Sequence, residues 1–356
     1  MIRELPEGFT RDEWAYLITF IDERALLAVY QSTFGQRIPS EENPKEEYWI
    51  RDSVALWLPN NVSLLGPLVM ILVSITGSTL RIKVGSRAEN LCELFVNWAL
   101  SKCSPGPLKT WLSEKLTLCT LSRGDKQLNE LSLWANVKIA FGSDQGCKAI
   151  RDLPSQTNTK QFLFSNKQSR AWSTTDMLDD DTLRTVIKVF TIYGRSGCTS
   201  PQSLTLLNET KDSCHELARR LVKLWPTVVK NDVPMHIASN NVLSHQCSLL
   251  ESWQATLVSR NKAVIAVGES HLPLPSGHLL LPITYSTLEN AIETLPENIQ
   301  TIGHKFNPKQ RDRIAEATSE TDIKRFVPIS DMHHFEPVWD GMEFWKALFC
   351  QDRKID

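Results

Sequence analysis

The chain has 356 residues, 42% of them hydrophobic and 22% charged, the make-up of one large or two ordinary folded domains rather than of a disordered or fibrous chain. Its 39 basic residues against 41 acidic ones leave a formal charge of −2, which gives no electrostatic case for nucleic acid or an anionic membrane as partner. Eight cysteines without a Cys-x-x-Cys pair suit free thiols in a reducing cytoplasm, not a disulfide framework.

The N-terminal stretch MIRELPEGFTRDEW is acidic and shows no signal peptide. A helical pattern follows near Arg11 to Gln31, and SEENPKEEY reads as a linker. The longest apolar run, Val62 to Thr76, falls short of the ~20 residues a membrane span needs, so a buried helix is expected. From Val54 strands and helices alternate. SVALWLP reads as a strand stopped by Pro59, and SLLGPLVMILVSITG as a helix with Pro67 in its first turn and Gly77 at its end. TLRIKV, LTLCTL and VKIAFG read as further strands. AENLCELFVNWAL, LNELSLWA and SDQGCKAI read as helices, the last capped by Ser143 and Asp144. This order implies an α/β fold with a parallel sheet, whose ligands bind in the loops after Leu58, Val84 and Phe141.

The polar stretch Gln156 to Thr175 marks a domain crossing. DDDTLRTVIKVFTIY then gives a helix with Leu183, Val186, Ile187 and Phe190 on one face and Gly194 at its stop. SLTLLNE is a strand and SCHELARRLVKLW an amphipathic helix. Between helix and strand lies YGRSGCTSPQS, a mobile, polar turn around one thiol, Cys198. Backbone N–H groups in such a turn can favour a thiolate, the nucleophilic form, or stabilise an oxyanion on a bound carbonyl. By position alone an inert cysteine is the commoner case.

Four segments settle the choice by resemblance: LPNNVSLLGPL, GSTLRIKVGSR, FGSDQGCKAI and GRSGCTSPQ. In order and spacing they resemble the aldehyde dehydrogenase superfamily, and more closely its acyl-CoA reductases of the bacterial bioluminescence (LuxC) type. LLLPITYSTLENAIETL, IQTIGHKF and RFVPISDMHHFEPVWDGMEF are similar to the C-terminal pattern of that subgroup. The resemblance runs from about Trp57 to Phe344, and Cys-x-Ser-Pro-Gln is among its most specific parts.

The resemblance implies an aldehyde-dehydrogenase-like α/β fold. Residues 51–160, with part of the tail, would form the cofactor domain, and 161–330 the catalytic domain. Residues 1–50 would form a helical N-terminal segment and 331–356 a C-terminal segment. It implies Cys198 as the nucleophile that takes an acyl group as a thioester. Asn61 would be the side-chain donor of the oxyanion hole, with the Cys198 N–H as its partner. Cofactor contacts fall to Asn60, Lys83, Ser86, Arg87, Gly142 and Ser143. Lys83 meets the adenosine ribose, Gly142 and Ser143 approach the pyrophosphate, and Arg87 stands where many relatives carry an acid, which points to NADPH. Hydrolytic members carry a glutamate where this chain has TKQFLFSNKQSRAWS, a segment without an acid. A thioester on Cys198 would then wait for a thiol or a hydride instead of water.

Three readings are therefore weighed: reduction of an acyl-CoA or acyl-carrier-protein thioester to an aldehyde, a non-catalytic acyl-accepting or scaffolding subunit, and, third, the oxidative direction from aldehyde and CoA to acyl-CoA. An acyl-activating synthetase as donor, and self-association, stay open. Ser63 departs from a usual proline and Asn60 from a common glycine. His333 and His334 are not expected to bind metal, because neighbours on a strand point to opposite faces. FEPVWDGMEFW is expected to pack over a substrate channel or a neighbouring subunit.

Overall fold

The computed structural model describes residues 4–34, 49–60, 62–85, 91–230, 233–259 and 262–350. The chain divides into two compact units, Met1–Asn166 with Phe335–Asp356, and Lys167–His334.

In the first unit α1 (Arg11–Phe20) and α2 (Glu23–Phe34) come first. The short β1 (Trp49–Ile50) precedes β2 (Ser53–Trp57), α3 (Leu65–Thr76) and β3 (Thr79–Lys83). Next come α4 (Leu91–Lys102), α5 (Pro107–Glu114), β4 (Leu116–Cys119) and α6 (Gln127–Trp134). β5 (Val137–Gly142), α7 (Asp144–Arg151) and β6 (Lys160–Ser165) complete it. The five main strands form one parallel sheet in the order β4-β3-β2-β5-β6. All five residues of β2 are buried, as a parallel strand covered on both faces requires. α3 is buried from Leu65 to Val73, so it is apolar nearly all round. Its start is at Leu65, after the chain has turned out of β2, and it ends at Gly77.

The C-terminal segment returns to this unit. Trp345 is fully buried and its Nε1 donates to the Leu72 carbonyl of α3 at 2.9 Å. Phe344 meets Phe164 of β6 edge-on, with ring centres 6.0 Å apart. The last strand, β14 (Phe349–Cys350), pairs antiparallel with β1. The aromatic tail is thus core of the first unit rather than the cover of a channel or subunit contact, because its rings fill the space beside α3 and β6.

The second unit holds β7 (Gln168–Ser173), α8 (Asp180–Tyr193), β8 (Pro201–Leu207) and α9 (Lys211–Val228). α10 (Met235–Leu250), β9 (Gln254–Leu257), β10 (Val264–Glu269) and β11 (Leu280–Ser286) follow. α11 (Leu288–Glu293), β12 (Ile299–Lys305), α12 (Pro308–Ala317) and β13 (Arg325–Pro328) end it. The sheet order is β13-β12-β7-β8-β11-β10-β9, parallel except for β9 at the edge. Leu183, Ile187 and Phe190 of α8 and Leu217, Leu221 and Trp225 of α9 pack with Ala171, Leu204 and Ile283 of the sheet. Among the described residues no helix is long and apolar enough to cross a membrane.

The polar stretch around residues 156–175 holds two strands, β6 and β7, which belong to different sheets. The change of unit falls between them, at Asn166 and Lys167. Lys160 and Gln161 of the edge strand β6 are exposed, which is why it lacks an apolar run.

Removing the Trp345 indole would leave a large void and take away the extra bond to the Leu72 carbonyl. Trp345→Ala should lower stability by about 3–5 kcal/mol in urea unfolding. A loss under about 1 kcal/mol would contradict the core role assigned to the tail.

Candidate active site

Cys198 lies where the second unit's helix α8 hands over to β8. Asp179 caps the start of α8 by accepting from the Thr182 N–H at 2.8 Å, and Gly194 stops it. Gly194 takes φ +53°, and a Cβ there would come within 2.6 Å of the His278 carbonyl oxygen, so only glycine fits. A short 3-10 turn, Gly194–Ser196, leads to Gly197, and the Ser200 N–H closes the next turn on the Gly197 carbonyl at 3.1 Å. Cys198 is a central residue of that turn. It is half-buried, whereas Cys92, Cys147 and Cys214 are buried. Burial pushes the Cys92 and Cys214 thiols up to about 12, which keeps both protonated and inert.

The turn is held on three sides. Ser169 of β7 donates its hydroxyl to the Cys198 carbonyl at 2.7 Å. Next to the thiol, Thr199 Oγ1 lies 2.7 Å from His333 Nδ1, and His333 Nε2 lies 2.7 Å from the Val189 carbonyl of α8. A carbonyl only accepts, so Nε2 carries the proton and Nδ1 accepts from the Thr199 hydroxyl. Burial holds His333 neutral, with its pKa down at about 4. Before the thiol, the Arg195 N–H donates to the His278 carbonyl at 2.9 Å. The Arg195 guanidinium donates to Gln202 at 3.1 Å and to the Pro275 carbonyl. Ser196 Oγ lies 3.0 Å from His278 Nδ1.

None of these supports was visible in the sequence around the cysteine. Thr199 and His333 are 134 residues apart. His333 and His334 stand in a turn after the 3-10 segment Ile329–Asp331, not on a strand, so the opposite-faces argument does not apply to them. Among the described residues no three His, Cys, Asp or Glu side chains gather as a metal site would require.

The remaining candidates belong to the first unit. Its strand order reverses direction between β2 and β5, and a parallel sheet opens a ligand crevice at the carboxyl ends of such a pair. Asn60 follows β2, and Gly142 closes β5. One strand over, Lys83 ends β3 beside Trp57. Burial pulls the Lys83 ammonium below the usual lysine range. A Cβ on Gly85 would overlap the Asn60 carboxamide, so glycine there lets the two loops close on each other. Ser143 caps α7 by accepting from the Gly146 N–H at 3.2 Å, which leaves its hydroxyl proton for an acceptor. Nothing stands within 4 Å of where a Gly142 side chain would be. Open backbone, a capped helix start and a lysine at adjacent strand ends fit a phosphate-bearing cofactor. Asn61, Ser86 and Arg87 lie outside the described residues.

The folded His333 titrates below its ordinary value, so protons favour the unfolded chain as pH falls from about 6.5 toward about 4. His333→Leu removes that term and also both hydrogen bonds. At pH 7 the variant should be about 2–4 kcal/mol less stable than wild type. The gap should narrow toward pH 4, because only wild type loses stability through this group. Urea unfolding at both pH values checks it, and a constant gap would contradict the neutral, buried imidazole.

Comparison with solved structures gives a consistent picture. The chain is similar to an aldehyde dehydrogenase from Bartonella henselae, with TM-score 0.63 and 14% identity over 95% of this chain and 77% of that one. It is similar to aldehyde dehydrogenase 21 from Physcomitrella patens in complex with succinate, with TM-score 0.65 and 12% identity over 97% and 79%. It also resembles a P. syringae indole-3-acetaldehyde dehydrogenase variant in complex with NAD+, with TM-score 0.59 and 11% identity over 85% and 66%. The fold is therefore that of the aldehyde dehydrogenases. No curated protein matches the sequence. The family model for acyl-CoA reductase (LuxC) matches residues 16–350, nearly the whole chain. The match agrees with the α/β fold, and the chain belongs to the acyl-CoA reductase (LuxC) family, a family of oxidoreductases.

Proposed function

We propose that the protein reduces an acyl thioester, carried on CoA or an acyl-carrier protein, to an aldehyde through an acyl group held on Cys198, with NADPH as reductant. The half-exposed Cys198 on a turn fixed by Ser169 and His333 carries this reading.

The Cys198 thiolate attacks the acyl carbonyl, and the donor thiol leaves with the electron pair of the broken C–S bond. Asn61 and the Cys198 N–H donate to the oxyanion that forms; losing one such donor typically slows the reaction ~10²–10³-fold. The Ser169 bond to the Cys198 carbonyl fixes the peptide plane that follows the nucleophile, while the Thr199–His333 pair holds the next residue. β6 and its flanks carry no carboxylate to activate water, and its Phe164 stacks on Phe141 at 4.6 Å. The acyl-cysteine is therefore spared hydrolysis. When bound, the nicotinamide cofactor would supply the hydride for the new C–H bond of the aldehyde, while the acyl C–S bond breaks and its electron pair returns to Cys198 as thiolate.

On the first unit, Asn60 and Lys83 at the ends of β2 and β3 take the adenosine side of the cofactor, with Ser86 and Arg87 beyond them. Gly142 and Ser143 take the pyrophosphate. Arg87 favours the 2′-phosphate, because a guanidinium pairs with phosphate through two parallel bonds. Eight cysteines without a Cys-x-x-Cys pair suit a reducing compartment, which supports the cytoplasm as the location.

The test is oxidation of NADPH with a series of acyl-CoAs. Wild type should turn over, and Cys198→Ala should lose at least about 10³-fold in kcat/KM with its fold unchanged. Arg87→Ala should raise the KM for NADPH and leave that for NADH alone. Equal turnover by wild type and Cys198→Ala would end the reading.

A further inference from the structure

On the face of the second sheet opposite α8 and α9 lies a cavity of about 180 Å³ that the reaction above does not use. Arg170 of β7 reaches it between Ser169 and Ala171, whose side chains take the other face. Ser203 of β8, Thr284 and Ser286 of β11, and Ser270 just after β10 line it, and no acid does.

The polar groups around it are one guanidinium and several hydroxyls, each of which can donate a hydrogen bond. The Arg170 Nε is buried and meets no hydrogen-bond partner among the described residues. Asn290 donates both amide hydrogens outward, to Ser270 Oγ at 3.1 Å and to Ser286 Oγ at 2.7 Å. Each of these hydroxyls thus spends a lone pair on Asn290 and keeps its own hydrogen for something else. Arg170 is partly buried, and an anion beside it would complement its charge and its hydrogen-bond donors.

We propose that this cavity binds a free tetrahedral oxyanion of the phosphate class, with Arg170, Ser270 and Ser286 as its donors. The volume is below the ~300–1,000 Å³ of pockets that enclose larger ligands, so it takes an ion and not a cofactor. Leu272, Pro273, Leu274 and Ala291 complete the lining beside the hydroxyls. Donors converge from β7, β11 and the loop after β10, which suits an anion with acceptor oxygens on several sides better than a planar carboxylate. The inference does not depend on the acyl-reduction reading.

Thermal unfolding of the full chain tests it, with sodium phosphate, sulfate, acetate or phenyl phosphate added to chloride buffer at constant ionic strength. Phosphate should raise the Tm linearly with the logarithm of its concentration above Kd, by about 5 °C once it stands a hundredfold above Kd, and sulfate should do the same more weakly or equally. Arg170→Met should abolish this shift while its Tm in chloride stays at or above that of wild type. Ser286→Ala should keep the shift and weaken the apparent affinity roughly tenfold. The absence of a phosphate-dependent shift in wild type, or an undiminished one in Arg170→Met, would overturn the site. A stronger effect of acetate would overturn the tetrahedral class, and equal binding of phenyl phosphate would overturn the free ion.

Discussion

The proposed nucleophile has to be held still without being buried, and at Cys198 the backbone is gripped while the residue is left half-buried. The Ser169 hydroxyl takes the Cys198 carbonyl at 2.7 Å, and the Thr199 hydroxyl is locked onto a neutral imidazole at 2.7 Å. Both contacts act on the main chain or on the next residue, so they fix the turn without covering the thiol. The imidazole can do this only while it is uncharged, since its Nδ1 must accept. Burial keeps it so. The same burial that makes His333 useless as an acid or base at neutral pH makes it a dependable positioning residue.

The second requirement is a place for a cofactor, and it follows from strand order. Five parallel strands that start in the middle and grow first one way, then the other, leave a gap above β2 and β5. Side chains do not create that gap; connectivity does. What the residues add is access: a glycine at the end of β5, a serine that caps α7 and keeps its proton, and a glycine at 85 that lets Asn60 close in. The aromatic tail contributes from beneath, where Trp345 ties the returning chain to α3.

Much of this could be read from the sequence, and the rest could not for identifiable reasons. Apolar runs bounded by Pro59 and Gly77 gave β2 and α3, and the acids before Thr182 gave α8, because those signals are local. The 3.6-residue repeat of Leu183, Val186, Ile187 and Phe190 marked the face that is now core. β6 was hidden because an edge strand with Lys160 and Gln161 exposed has no apolar run to announce it. α5 (Pro107–Glu114) was missed for a similar reason, since only Trp111 and Leu112 of its eight residues are buried. The supports of the cysteine turn were invisible because Ser169 and His333 reach it across the sheet, not along the chain. The tail misled because aromatic residues look alike whether they cover a channel or fill a core.

The account stands on an acyl group passing onto the Cys198 sulfur and surviving there. Intact-mass measurement after mixing the protein with an acyl-CoA, in the absence of any nicotinamide cofactor, reads this directly. The protein should gain the mass of one acyl chain, mapped by peptide analysis to Cys198, hold it in water, and lose it as aldehyde when NADPH is added. An unmodified protein, or an acyl chain found on another residue and untouched by NADPH, would contradict the account.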